Sequence, residues 1–174
     1  TRHTEQRRTV APVAAPTNLA HFETTIRART IGVIDALPRG VTFDWVEHVS
    51  IELTTMMLAT LFDFPWEDRR KLTFWSDVAI ANVNSPDAPV HSEEERFAEL
   101  KGMGAYFLEL WKARAGLPPR LDLISMMAHS PATRDMPSME FIGNLALLIV
   151  GGNDTTRNSM SGGLLALSDN PEQW

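Results

Sequence analysis

The chain has 174 residues, 44% of them hydrophobic, enough for one domain with a sizeable core. Its formal charge of −6 and pI near 5.3 argue against a nucleic acid partner, because phosphate neutralisation needs a concentrated basic face and the longest basic cluster is Arg69-Arg70-Lys71. It has no cysteine, which excludes disulfides, and its most apolar run, Phe141 to Val150, contains Gly143 and Asn144 and is too short and too polar to span a bilayer.

Residues 1–11 read as a helix in which His3 and Arg7, four apart, project from one face, with Val10 continuing the spacing before Pro12 and Pro16. Thr17 or Asn18 caps a second helix carrying Leu19, Phe22, Ile26, Val33 and Leu37, which stops at Pro38-Arg39-Gly40. Asp44 and Glu47 form an acidic variant of the capping box and open a third, predicted to turn Val46, Val49, Leu53, Met56, Met57 and Leu61 inward. After a turn at Phe62 to Pro65, a helix to about Ala81 places Leu72, Trp75, Val78 and Ala79 on its apolar side.

Asn82 to His91 is a loop, and Ser92 with Glu95 makes a regular capping box. The helix that follows uses Phe97, Leu100, Gly104, Phe107, Leu108 and Trp111 and ends near Gly116, before Pro118-Pro119. Trp75, Phe107 and Trp111 read as core rather than ligand pocket. Asp122 to Met127 is a short helix and residues 128–137 a polar link. With no convincing strand pairing and no internal repeat, the fold class is mainly α, six or seven helices around one long central helix.

That helix runs from Ser138, its predicted N-cap, to Ser168, where Asp169-Asn170-Pro171 stops it. At 1.5 Å per residue it spans about 45 Å. Gly151 and Gly152 interrupt its centre, each at a cost of about 1 kcal/mol against alanine. Two readings compete: glycines that admit a neighbouring helix, or bare backbone that a flat ligand approaches. Thr155 is placed to bond back to the Gly151 carbonyl and bend the helix, leaving a notch between glycine and the pair Asp154 and Thr155. Leu147 and Leu148 share a face with Gly151, so an apolar wall runs into the notch.

Other chemistries fail on spacing. There is no Gly-x-Ser-x-Gly elbow, and Gly151-Gly152 lacks the Gly-Lys-Ser/Thr ending of a phosphate loop. The five histidines are scattered with no pair at metal-ligand spacing, so no metal ligand is assigned.

The string Gly151-Gly152-Asn153-Asp154-Thr155-Thr156 inside an apolar helix resembles the oxygen-binding helix of the cytochrome P-450 family, the haem-thiolate monooxygenases. His3-Thr4-x-x-Arg7-Arg8 is similar to the family's propionate-binding helix. The resemblance implies a partial cytochrome P-450 fold and haem b as cofactor. It implies that His3 and Arg7 bind the propionates and that Leu148, Gly151 and Gly152 lie over the macrocycle. Leu147 and Val150 would wall the substrate, and Asp154 and Thr155 would deliver protons for oxygen activation. The helices flanking the loop at 82–91 occupy the places of the family's substrate lid. The iron ligand of the family is a cysteine, which this chain lacks.

The longer strings Gly151 to Gly163 and Leu53 to Pro65 look similar to the soluble bacterial alkane and fatty-acid hydroxylases. This implies terminal hydroxylation of an alkane or fatty acid by O2, with electrons from NADH through a ferredoxin reductase and a [2Fe-2S] ferredoxin, in the cytoplasm. The chain starts at Thr1 and ends at Trp174 in what reads as a new helix. It lacks the family's Glu-x-x-Arg helix and cysteine loop. Residues 1–174 are therefore expected to be a single incomplete domain, an internal fragment with 138–168 as the oxygen helix, loosely packed and inactive alone. The alternative is a non-catalytic all-helical ligand-binding or interaction domain whose notched helix packs a partner.

Overall fold

A computed structural model describes residues 1–173, and every regular element in that span is helical. The α-helices are α1 (Arg2–Val10), α2 (Pro16–Asp35), α3 (Glu52–Phe62), α4 (Arg70–Ile80), α5 (Glu93–Ala115), α6 (Leu123–His129) and α7 (Ser138–Asp169). Tight 3-10 turns follow α1, precede α4 and follow α7, and a π-helical turn, Val46–Ile51, leads into α3. Trp174, at the start of the expected further helix, lies outside the described residues.

The expectation of a mainly α fold around one long helix is met. α7 packs against α3, α4, α5 and the π turn, and its Phe141, Leu145 and Ile149, at successive four-residue steps, are buried. They join Phe62, Leu72, Met103, Phe107, Ile124 and Met127 in one core. Trp75 and Phe107 stack within an aromatic cluster that also holds Phe62, Phe64 and Tyr106, and Trp111 meets Phe141 edge-on with centroids 5.0 Å apart. Trp75 and Phe107 are core, whereas Trp111 is half-buried at its edge and lines a cavity of about 240 Å³ with Leu108 and Ile142.

Local signals also succeed. Ser92 Oγ accepts from the Glu95 amide at 3.1 Å, and the Glu95 carboxylate reaches back to the His91 amide at 2.7 Å. Asp122, read from the sequence as the first residue of the short helix, is instead the cap of α6, accepting from the Ser125 amide at 2.8 Å. Asp63 ends α3 with φ of 48°, a left-handed cap that a short polar side chain tolerates. Its carboxylate binds Arg114 and Arg120 at 2.5 and 2.9 Å.

Five expectations need correction. α2 starts at Pro16 without a side-chain cap; Asn18 lies inside it and donates from Nδ2 to the Val13 carbonyl at 2.6 Å. Its predicted apolar face is largely open, with Leu19 and Ile26 exposed and Val33 alone among the named residues buried. In α3 the buried residues are Thr54, Thr55, Leu58, Ala59 and Phe62, one position on from the predicted set. The π turn explains this: one extra residue per turn rotates everything after it by about 100°. Phe97 and Leu108 of α5 are exposed, and Ser138 is the first helical residue of α7 rather than its cap, since Pro137 precedes it without a side-chain bond.

Candidate functional site

α1 presents His3, Gln6, Arg7 and Val10 on one face, and that face looks onto Asn144, Leu147 and Leu148 of α7. Met127 of α6 and Thr133 and Met136 of the link complete a cavity of about 260 Å³. α1 is fastened there by Gln6 to Glu140, by Arg2 to Glu140 at 2.6 Å, and by the Thr9 and Ser130 hydroxyls at 2.9 Å. Glu140 thus engages Arg2 and Gln6, and among the described residues Arg7 has no carboxylate partner. A larger cavity of about 690 Å³ lies between α2 and α3, lined by Arg29, Val33, Met56 and Trp66 among others. None of the site residues named from the sequence, His3, Arg7, Leu147, Leu148, Val150, Gly151, Gly152, Asp154 or Thr155, lines it, so arrangement rather than size marks the site.

From the smaller cavity an open face continues along α7 in four-residue steps. Leu147 is 64% exposed, Gly151 is exposed, and Thr155 is exposed one turn further. Space at Gly151 is unfilled: a Cβ built there meets nothing within 4 Å. The Thr155 hydroxyl donates to the Gly151 carbonyl at 2.9 Å, the bond that the spacing predicted, and α7 remains helical through it. Leu148 lines the cavity, while Val150 is half-buried and does not.

Gly152 belongs to the other side of the helix. A Cβ there would stand 2.7 Å from Cδ1 of Leu58 on α3, so the side chain of Leu58 fills the space that the missing side chain leaves. The reason is phase: Gly152 follows the buried Leu145 and Ile149 by seven and three residues and shares their core-facing side. It packs against α3. Asn153 next to it is fully buried, accepting at Oδ1 from the Thr54 hydroxyl at 2.9 Å.

Asp154 is half-buried and ion-paired. Its Oδ1 accepts from Arg157 Nη2 at 2.8 Å, and Arg157 Nη1 donates to Asp77 of α4 at 2.9 Å. Burial lowers the Arg157 pKa, but hydrogen bonds to Asp154 and Asp77 outweigh that and hold the guanidinium above its ordinary value. Neither Arg157 nor Asp77 stands out in the sequence as a site residue. The three-residue spacing of Asp154 and Arg157 on a helix is a readable signal, whereas nothing local joins either to Asp77.

The structure therefore brings His3, Arg7, Leu147 and Leu148 to one cavity and sets Gly151 and Thr155 on the face leading from it. Asp154, one position before Thr155, is ion-paired to Arg157, and Gly152 faces Leu58 of α3. An open apolar face ending in a histidine and an arginine fits a flat hydrophobic group carrying carboxylates, as haem does. Among the described residues no helix is long and apolar enough to cross a membrane.

No family model matches the chain. It is 33% identical, over 99% of its length, to linalool 8-monooxygenase of Pseudomonas putida, and 28% identical to a steroid C26-monooxygenase of Mycolicibacterium smegmatis. It covers 42% and 39% of those proteins. Among solved structures it is similar to cytochrome P450-153 from Novosphingobium aromaticivorans and to CYP153D17 from Sphingomonas sp., at 53% identity to each over 99% of the chain. The TM-scores are 0.86 and 0.85, and the chain covers 40% and 42% of those structures. It spans about two fifths of the length of these relatives, and it belongs to the cytochrome P450 family.

Proposed function

We propose that the parent protein is a haem monooxygenase that inserts one atom of O2 into an aliphatic C–H bond, hydroxylating the terminal carbon of an alkane or fatty acid. Residues 1–174 form one incomplete domain of it, with α7 as the oxygen-binding helix. The observation that carries this reading is the Thr155 hydroxyl, tied to the Gly151 carbonyl at 2.9 Å on an open face that runs into the His3 and Arg7 cavity.

Haem b, when bound, supplies the activation of dioxygen. Arg7 and His3 pair with its carboxylates, and Leu148 and the bare backbone of Gly151 admit its plane. Leu147 and Val150 supply the aliphatic wall beside Gly151, which suits an apolar carbon rather than a polar one. Asp154 takes protons from solvent at its carboxylate and passes them to water held by Thr155 Oγ1, keeping delivery on a defined path. The chain has no cysteine, so a thiolate ligand comes from outside residues 1–174, and these residues alone are inactive. Electrons come from NADH through a ferredoxin reductase and a [2Fe-2S] ferredoxin, in the cytoplasm.

A carbon monoxide difference spectrum of the reduced full-length protein tests for the haem thiolate. In that protein Thr155→Ala is expected to lower product formed per NADH consumed while O2 is still used. Unchanged coupling would remove Thr155 from the relay.

A further inference from the structure

The buried stripe of α7 changes character beside the two glycines. Phe141, Leu145 and Ile149 are apolar, and the next residue in the four-residue series is Asn153, buried as fully as Leu145 and Ile149. Its Oδ1 accepts from the Thr54 hydroxyl of α3 at 2.9 Å, while its Nδ2 is buried without a hydrogen-bond partner among the described residues. Eight positions on, Ser161 Oγ donates to Ser50 Oγ of the π turn at 2.9 Å, so α7 is hydrogen-bonded to this one neighbour at two heights. An asparagine with an orphaned amide is a poor core filler, since a leucine of similar shape leaves nothing unpaired. What asparagine adds is direction.

We propose that Asn153 is a positioning residue for the oxygen-binding turn, its bond to Thr54 fixing the rotation of α7 about its own axis at Gly151 to Thr155. This rests on the reading of α7 as the oxygen-binding helix. The two glycines leave that turn less constrained by its own side chains than the rest of the helix. An apolar ridge tolerates a small rotation in its groove, whereas a hydrogen bond weakens steeply with angle. With side chains reaching about 5–6 Å from the axis, a rotation of about 10° carries the Thr155 hydroxyl about 1 Å, enough to misplace a group that must hold one water. The π turn supplies the other half of the bond, because the rotation it gives α3 is what points Thr54 at α7. Thr54 Oγ1 also lies 2.9 Å from the Ser50 carbonyl and 3.1 Å from that of Ile51, so its single proton has acceptors within its own segment. Thr54 is satisfied without Asn153, and the bond between them serves α7 rather than α3.

The test uses the full-length, haem-loaded enzyme. Two readouts follow position: product formed per NADH consumed, and the infrared stretch of carbon monoxide on the reduced haem, whose band widens when nearby polar groups take several orientations. The midpoint of unfolding in denaturant follows stability separately. Asn153→Leu is expected to leave that midpoint unchanged or raised, to widen the band, and to lower product per NADH at least about threefold, a small part of what a misplacement of this size can cost. Thr54→Val strands both polar atoms of Asn153, so midpoint and coupling should fall together. Adding Asn153→Leu to Thr54→Val should restore the midpoint and leave coupling low. Thr54→Ser keeps the hydroxyl and should keep both coupling and band width.

Wild-type coupling and band width in Asn153→Leu overturn the proposal. So does coupling that returns with the midpoint in the double variant, or equal coupling in Thr54→Ser and Thr54→Val, since either makes the pair a packing feature only. Thr155→Ala is a separate test: unchanged coupling there removes Thr155 from the relay, and the band width of Asn153→Leu still reports whether Asn153 sets the rotation.

Discussion

Gly151 and Gly152 are neighbours in sequence and opposites in the structure. At Gly152 the missing side chain is filled from α3, with Leu58 Cδ1 2.7 Å from where a Cβ would stand. At Gly151 nothing comes within 4 Å. The residues one and two turns before each glycine follow suit: Leu145 and Ile149 are fully buried, whereas Leu147 is exposed. A hundred degrees of helix rotation separates a packing glycine from one that keeps a face clear, so the same residue type answers two different needs.

A core leucine and an open-face leucine of α7 should differ most in what their removal costs. Leu145→Ala is expected to destabilise the full-length protein by about 2–5 kcal/mol, the range for deleting a buried leucine and leaving a cavity. Chemical denaturation with a fixed slope against denaturant measures it. Next in size is Gly152→Val. Its two methyl groups push into Leu58, itself buried, and overpacking of this kind costs about 1–3 kcal/mol. A Gly152→Val protein that melts with the wild type would mean that α3 and α7 have room to separate, and the packing role of this glycine would fail.

Much of this division is legible in the amino-acid sequence. The period of Phe141, Leu145 and Ile149 is written in the chain, as are the caps at Asp44 and Ser92 and the four-residue step from Gly151 to Thr155. What is not legible depends on phase or on distant partners. Nothing in Val46 to Ile51 announces a π turn, and that one extra residue turns Thr54 and Thr55 inward in place of Leu53 and Met56. Those buried threonines are satisfied by Asn153 and by Thr73, residues far along the chain, so polarity alone points them outward. Asp77 and Arg157 are 80 positions apart. The apolar face of α2 reads as core because its spacing is helical, and spacing says which residues share a face without saying that anything covers it.

Gly151→Ala should act on stability in the opposite sense. Adding a methyl group where nothing stands nearby should stabilise α7 by about 1 kcal/mol, through helix propensity and a less disordered unfolded chain. If the bare backbone exists for a flat cofactor, the same change should weaken haem retention, read as faster transfer of haem to apomyoglobin. Greater stability with unchanged haem transfer would leave Gly151 without a reason on that face.

The smallest stability change belongs to Leu147→Ala. The side chain is 64% exposed, so its truncation should shift unfolding by less than about 0.5 kcal/mol, in contrast to its buried neighbour two positions back. Its effect should appear instead in the product. An aliphatic wall one turn before Gly151 limits where a chain-like substrate can sit, and shortening it should spread hydroxylation from the terminal carbon to the adjacent one, measured as the ratio of product isomers. A stable variant with an unaltered isomer ratio would take Leu147 out of the substrate wall, and leave the open face of α7 to the cofactor alone.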